Sequence, residues 1–175
     1  MTPALRWPTA LVCCLGCLAS GVAPRLARAS EAVVPLVTPA LVLPDASGTS
    51  VSLASFRGKV VLVDIWASWC APCKAAFPAY DALYREYRGR GLDVLAINVD
   101  EQRKAATAFL DGRDHQVHVL FDPKGLAPTG FKLKGMPTSY LIDRKGVTRF
   151  AHEGFNAKVL AQYRREIEQL LEETP

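Results

Sequence analysis

Cysteine is scarce where the folded part of this chain must lie. Of five cysteines in 175 residues, Cys13, Cys14 and Cys17 fall near the start, and only Cys70 and Cys73 remain beyond residue 29. Two cysteines three apart cannot build the multi-bridge framework of small secreted scaffolds. A bridge closing so short a loop removes little chain entropy, so it would be a poor staple. Excess charge is also missing. The net charge of +4 includes Arg6, Arg25 and Arg28, and removing residues 1–29 leaves 18 basic against 17 acidic residues, a net of +1. That balance gives no case for a nucleic-acid partner. The longest apolar stretch, residues 10–23, is short against the ~20 residues needed to cross a bilayer. Internal repeats and low-complexity tracts are absent. With 50% hydrophobic and 22% charged residues, the chain can build a core and is not wholly disordered.

What is present at the start is an export pattern. Arg6 precedes the apolar stretch, and Ala27-Arg28-Ala29 places small residues at the two positions a signal peptidase reads. Residues 1–29 are therefore expected to be a signal peptide, or an N-terminal membrane anchor if they are retained. Residues 30–39, with two prolines and little periodicity, read as a linker, and 40–175 as one domain.

Within that domain, Leu41-Val42-Leu43 and Val51-Ser52-Leu53 flank a turn at Pro44-Asp45-Ala46-Ser47-Gly48, a hairpin pattern. Residues 60–66 form a β-rich run broken only by Asp64, as in a strand buried on both faces. A helix over about 73–88 follows from Phe77, Tyr80, Leu83, Tyr84 and Tyr87, with Pro78 inside it. Strands are predicted over 92–99, 117–121, 138–142 and 147–151, and helices over 101–110 and after Asn156. The Asp143-Arg144-Lys145-Gly146 segment reads as a hairpin turn. Alternating β and α elements followed by a hairpin imply an α/β sandwich around a mixed sheet.

The most informative stretch runs from Asp64 to Lys74 and contains Cys70-Ala71-Pro72-Cys73. A strand ends and a helix begins at the cysteines, so Cys70 stands where free N–H groups and the helix dipole favour a thiolate. Only the thiolate attacks a disulfide, which makes Cys70 the nucleophile and Cys73, about one turn further in, the resolving thiol. Asp64, an acid in an apolar strand, is the candidate proton carrier for Cys73, its pKa raised by desolvation.

These residues resemble the active site of the thioredoxin superfamily, and residues 41–173 resemble its extracytoplasmic TlpA/ResA-like branch. Leu43-Pro44-Asp45, Phe56-Arg57-Gly58-Lys59, Trp69-Cys70-Ala71-Pro72-Cys73 and Gly135-Met136-Pro137-Thr138 carry that resemblance. It implies a thioredoxin-like three-layer sandwich with an N-terminal β-hairpin extension. It also implies that Pro137 is cis against the cysteine pair, and that Met136 offers backbone groups to an extended substrate strand. Trp69 would shield the disulfide and line the docking surface. Three positions depart from the branch. Ala76 stands where an acid is common, Asp64 where asparagine is common, and Ala96 where thioredoxins carry a lysine facing the buried acid.

The implied activity is that of an exported thiol–disulfide oxidoreductase that reduces protein disulfides, in cytochrome c maturation or metalloprotein assembly. No cofactor is needed, because the cysteine pair carries the two electrons. The electron donor would be a membrane thiol transporter of the DsbD or CcdA kind, the location periplasmic or otherwise extracytoplasmic, and the chain a monomer. Two alternatives stay open at this point: a dithiol oxidant of folding exported proteins, and a redox-inert binding or metal-carrying domain on the same fold. For a metal-carrying role, His115 and His118 join Cys70 and Cys73 in a nominal two-Cys, two-His zinc set, but the histidines precede a strand placed away from the cysteines. His152 reads as a surface residue, and Arg164, Arg165 and Glu166 as a solvated helix face.

Overall fold

The computed structural model describes residues 37–174, so the expected leader, Cys13, Cys14, Cys17 and most of the linker lie outside the described residues. Residues 37–40 have no regular structure, and the Thr38 hydroxyl meets that of Thr148 at 2.7 Å.

Strands β1 (Val42–Pro44) and β2 (Ser50–Ser52) pair antiparallel as the predicted hairpin. Its turn is held by Asp45, whose carboxylate accepts the backbone N–H groups of Ser47 and Thr49. A short 3-10 turn, Leu53–Phe56, leads to β3 (Val60–Trp66), which is buried throughout. Helix α1 (Ala71–Tyr87) returns the chain to β4 (Leu92–Asn98). Next come α2 (Arg103–Leu110), β5 (His118–Phe121) and α3 (Leu126–Gly130). The hairpin β6 (Thr138–Ile142) and β7 (Thr148–Glu153) and helix α4 (Ala157–Glu172) complete the order.

The main sheet has the order β5-β4-β3-β6-β7. Strands β3, β4 and β5 run parallel, β6 is antiparallel to β3, and β7 to β6, so the sheet is mixed as expected. Side chains alternate across it, as strand geometry requires. Leu62, Trp66, Val94 and Leu141 join Phe77, Tyr80, Ala106, Tyr163 and Ile167 in one core beneath α1, α2 and α4. Val61, Val63, Ile65, Leu95 and Ile97 join Leu41, Leu43, Leu53, Phe131 and Tyr140 in the other, covered by the hairpin and α3. The hairpin is thus a structural lid for one face of the sheet, tied to it also by a bridge between Asp45 and Leu120.

Two local differences from the sequence reading have physical causes. Helix α1 begins at Ala71, two residues early, because Cys70 itself caps it and Pro72 fits its first turn. The residue pattern gives no sign of helix α3, since Leu126-Ala127-Pro128-Thr129-Gly130 contains two helix-weakening residues. Its start is held instead by buried Asp122, whose carboxylate accepts the N–H groups of Leu126 at 2.9 Å and Ala127 at 2.7 Å.

Candidate active site

The C-terminal end of β3 delivers the chain to the cysteines. Cys70 is the N-cap of α1, and its sulfur accepts the backbone N–H of Cys73 at 3.3 Å. The two are disulfide-bonded, with Cα atoms 5.3 Å apart. Cys70 keeps 6% of its surface and Cys73 none, the asymmetry expected of an attacking and a resolving sulfur. The same N–H that meets the Cys70 sulfur in the disulfide can stabilise its thiolate after reduction.

The loop before Cys70 is pinned from behind. Asp100, 5% exposed, accepts the Ser68 backbone N–H at 3.0 Å and its hydroxyl at 3.1 Å. Asn98 donates to the same carboxylate at 2.8 Å and accepts the Asp100 N–H at 3.1 Å. Sequence reasoning missed this brace. Its only signal is two polar residues at the end of an apolar strand, and their partner lies 32 positions away. Trp69, between the braced Ser68 and Cys70, is 68% exposed, so its side chain stands largely in solvent.

Asp64 is fully buried, and neither carboxylate oxygen has a hydrogen-bond partner among the described residues. Burial pushes its pKa to about 8, the direction expected of a desolvated carboxyl. Directly across on β4 stands Ala96, so the lysine position of thioredoxins is neutral here. On the other side Asp64 is opposite Ser139 of β6. Ala76, where the branch commonly has an acid, is fully buried in the core under α1.

The Met136–Pro137 peptide bond is cis. Thr138 pairs with Ile65 in an antiparallel register, so the next step back along the chain brings Pro137 and Met136 to the end of the sheet where β3 hands over to the cysteine loop. Pro137 is buried, and its carbonyl accepts the Gly154 N–H at 2.8 Å. Met136 is half-buried, and its backbone N–H and carbonyl make no hydrogen bond among the described residues.

The histidines are placed elsewhere. His115 packs edge-on against Phe77, and His118 against Tyr84, with its Nε2 3.3 Å from Asp93. His152 departs from the surface role assigned to it. Its side chain is only 12% exposed, lies edge-on to Tyr163, and places Nε2 2.5 Å from Glu166. Glu166 is correspondingly 17% exposed, and Arg164 pairs with Glu86, so that helix face is partly docked rather than simply solvated.

A parallel βα unit presenting a capped, almost fully buried cysteine pair, a buried acid in the strand and a cis-proline loop beside it defines a thioredoxin-like dithiol protein. The chain belongs to the AhpC/TSA family, whose profile matches residues 36–151. The thioredoxin-like protein YneN of Bacillus subtilis is 36% identical over 129 residues, 72% of this chain and 71% of that protein. The thiol-disulfide oxidoreductase ResA of Halalkalibacterium halodurans is 32% identical over 130 residues, 74% of this chain and 70% of that protein. The ResA of Bacillus thuringiensis aligns over 108 residues, so the chain spans 62% of that relative's length. Among solved structures, one named for a DsbE-type thiol:disulfide interchange protein of Chlorobium tepidum superposes with a TM-score of 0.73 at 38% identity, over 77% of this chain and 94% of that one. This is a thiol–disulfide oxidoreductase of the ResA/DsbE type.

Proposed function

We propose that the chain works as an exported reductant of protein disulfides. The observation that carries the chemistry is the cap of α1, where a backbone N–H meets the sulfur of Cys70 while Cys73 lies fully buried behind it. Cys70 thiolate attacks one sulfur of the substrate disulfide, forming a mixed disulfide and releasing the other substrate sulfur as a thiolate. Cys73 then loses its proton to Asp64 and attacks Cys70, so that the dithiol is oxidised, the substrate gains two electrons and its second thiol departs. With its pKa raised by burial to about 8, Asp64 can take up a proton near neutral pH without holding a permanent charge in the core.

Substrates dock as an extended strand on the free backbone of Met136 beside Pro137, with Trp69 supplying apolar contact. Ala-Pro between the cysteines resembles the Gly-Pro of reducing thioredoxins, which favours reduction over oxidation. Disulfides of cytochrome c apoproteins, of metal-site proteins, or of a general pool of misoxidised cysteines are the substrate classes that fit the ResA and DsbE resemblance. A membrane thiol transporter of the DsbD or CcdA kind would restore the dithiol in an oxidising compartment. Among the described residues no helix is long and apolar enough to cross a membrane, so attachment would fall to residues 1–29, either cleaved as a signal peptide or kept as an anchor.

The deciding measurement is the reduction potential of the Cys70/Cys73 couple, equilibrated against glutathione or dithiothreitol with Trp69 fluorescence as reporter. A value near the thioredoxin end, about −270 mV, supports the reductant. A value near about −120 mV makes the protein an oxidant. Failure to form the disulfide, together with stoichiometric bound metal, would replace both with a carrier role.

A further inference from the structure

Arg57, Lys59, Arg88, Arg90, Arg144 and Lys145 gather at the end of the molecule opposite the cysteines, where the redox chemistry uses none of them. Strand β3 begins at that pole with Val60 and ends at Trp66 beside the cysteine loop, so the two ends lie about 20 Å apart at the rise of a strand. Arg57, Gly58 and Lys59 lead into β3, the 3-10 turn Arg88–Arg90 leads to β4, and Arg144 and Lys145 stand in the β6–β7 turn. Contacts draw the three segments together. Gly58 donates its N–H to the Arg144 carbonyl at 2.8 Å, and its own carbonyl accepts the Arg144 guanidinium at 2.9 Å. Val60 donates to the carbonyl of Gly91, next to Arg90, at 3.0 Å. The Arg57 side chain lies against Gly146, where a Cβ would meet its Nε at 3.7 Å.

The charge gathered there is not neutralised. Among the described residues, none of these six cations forms an ion pair with a carboxylate. Arg88 bonds the neutral Gln116, and Arg90 lies over the Tyr87 ring. The acids at this end are engaged elsewhere. Asp143 is buried and accepts the N–H groups of Lys145 and Val147 together with Arg149, Glu173 also holds Arg149, and Asp93 meets His118. Exposed Glu172, in the last turn of α4, is the exception. Because residues 30–175 carry a net charge of only +1, the basic pole arises from placement rather than composition. The chain also enters the fold at this pole. The Thr38 hydroxyl meets that of Thr148 at the start of β7, and Thr38, Arg57, Asp143 and Gly146 line one small cavity. Val37, just before it, is 87% exposed, and residues 1–36 are joined to the domain at that point.

We propose that this pole rests on a bilayer containing anionic phospholipid and turns the cysteine end away from the membrane. Charge complementarity supplies the attraction, since lipid phosphates are the counterpart of unpaired arginine and lysine. The point of chain entry selects a membrane over other polyanions, because the apolar stretch of residues 10–23 is tethered to this same side. Each Lys or Arg held close to an anionic surface strengthens binding about fivefold, and the effect fades over a Debye length of about 8 Å at physiological salt. The cations of the pole can therefore act together. Lys104, Lys124 and Lys134 are exposed in the segments that follow β4 and β5 and precede Pro137, at the cysteine end and beyond that range. The inference holds whether residues 1–29 are cleaved or kept, and it adds to the reductant role the face of the molecule that meets the bilayer.

The test is acetylation of lysines in the full chain, read residue by residue by mass spectrometry. Vesicles of phosphatidylcholine alone are compared with vesicles containing one quarter phosphatidylglycerol, at physiological salt. On the anionic vesicles Lys59 and Lys145 should react severalfold more slowly, while Lys104, Lys124 and Lys134 keep their rates. This footprint reads orientation even where the N-terminal segment holds the chain on both kinds of vesicle. Protection of neither end, of both ends alike or of the cysteine end alone would overturn the proposal. Protection of Lys59 and Lys145 by heparin but not by anionic vesicles would assign the pole to a soluble polyanion instead. Arg57→Gln combined with Arg90→Gln, which leaves the backbone contacts of the pole in place, should weaken the docking roughly 25-fold and so remove most of the protection. Lys104→Gln combined with Lys124→Gln removes the same charge and should leave the protection intact. Equal loss in the two double variants would reduce the effect to net charge and overturn the assigned face. Reoxidation of the reduced protein by hydroxyethyl disulfide, a neutral reagent, should run at one rate on both kinds of vesicle. A slower rate on the anionic vesicles would place the cysteine end against the bilayer and overturn the orientation.

Discussion

Cys70 keeps 6% of its surface and Cys73 none, and the proposed attacking and resolving roles rest on that difference. Cys70→Ser should abolish disulfide reduction outright. Cys73→Ser should still attack but stall as a mixed disulfide, so that substrates are recovered covalently bound and released by dithiothreitol on a non-reducing gel. Asp64 makes a prediction through pH. Its pKa rises from 3.8 in the unfolded chain to about 8 in the folded protein. Between those values the native state holds a proton that the unfolded state has released, so this group's effect on stability worsens as pH rises through that window. Replacing it with neutral asparagine removes the dependence. Denaturant titrations should therefore show Asp64→Asn gaining on the wild type from about pH 4 upward, by on the order of 4 kcal/mol at neutral pH, and the gain vanishing in acid.

At the scale of elements, several short or awkward segments are held by single buried carboxylates that reach across sequence. Asp81 of α1 accepts the N–H groups of Gln116 at 2.6 Å and Val117 at 3.3 Å, and so sets the entry to β5. Asp143 closes the β6–β7 turn through Lys145 and Val147, and Asp100 braces the loop before Cys70. Asp100→Ala leaves the Ser68 N–H and the Asn98 amide without their acceptor, which should cost about 1–3 kcal/mol in chemical denaturation. Helix α4 depends on a local cap, the Asn156 side chain accepting the Val159 N–H at 3.0 Å. Asn156→Ala should cost ~1 kcal/mol, visible as a lowered Tm.

At the scale of the whole molecule, one sheet separates two cores. The redox chemistry lies at the edge of the α1–α4 side, while the other side is closed by the N-terminal hairpin and α3. The hairpin therefore belongs to the folding unit even though it contributes no group to the cysteine site. Leu43→Ala, at a position 3% exposed, should cost about 2–5 kcal/mol through lost burial and the cavity left behind. A single unfolding transition with a lower midpoint and an unchanged slope would show the hairpin and sheet unfolding together.

Much of this was legible in the chain itself. Strand β3 matches its predicted limits because its apolar run is short and rich in β-branched valine and isoleucine, which favours a buried strand over a helix. The cysteine pair was legible because strand, turn and helix start succeed one another within a few residues, so local structure alone places Cys70 at a helix terminus. Asp64 stood out as the one acid in an apolar run. Other groups carried no such signal. His152 and Glu166 look like ordinary surface residues until β7 and α4 are packed together, and Asp100 is one acid among many until β4 ends behind Ser68. Contacts between near neighbours are written in residue spacing, because a strand or helix fixes their geometry. Contacts between distant residues depend on the order of strands in the sheet and the helix laid over it, and only the folded chain decides those.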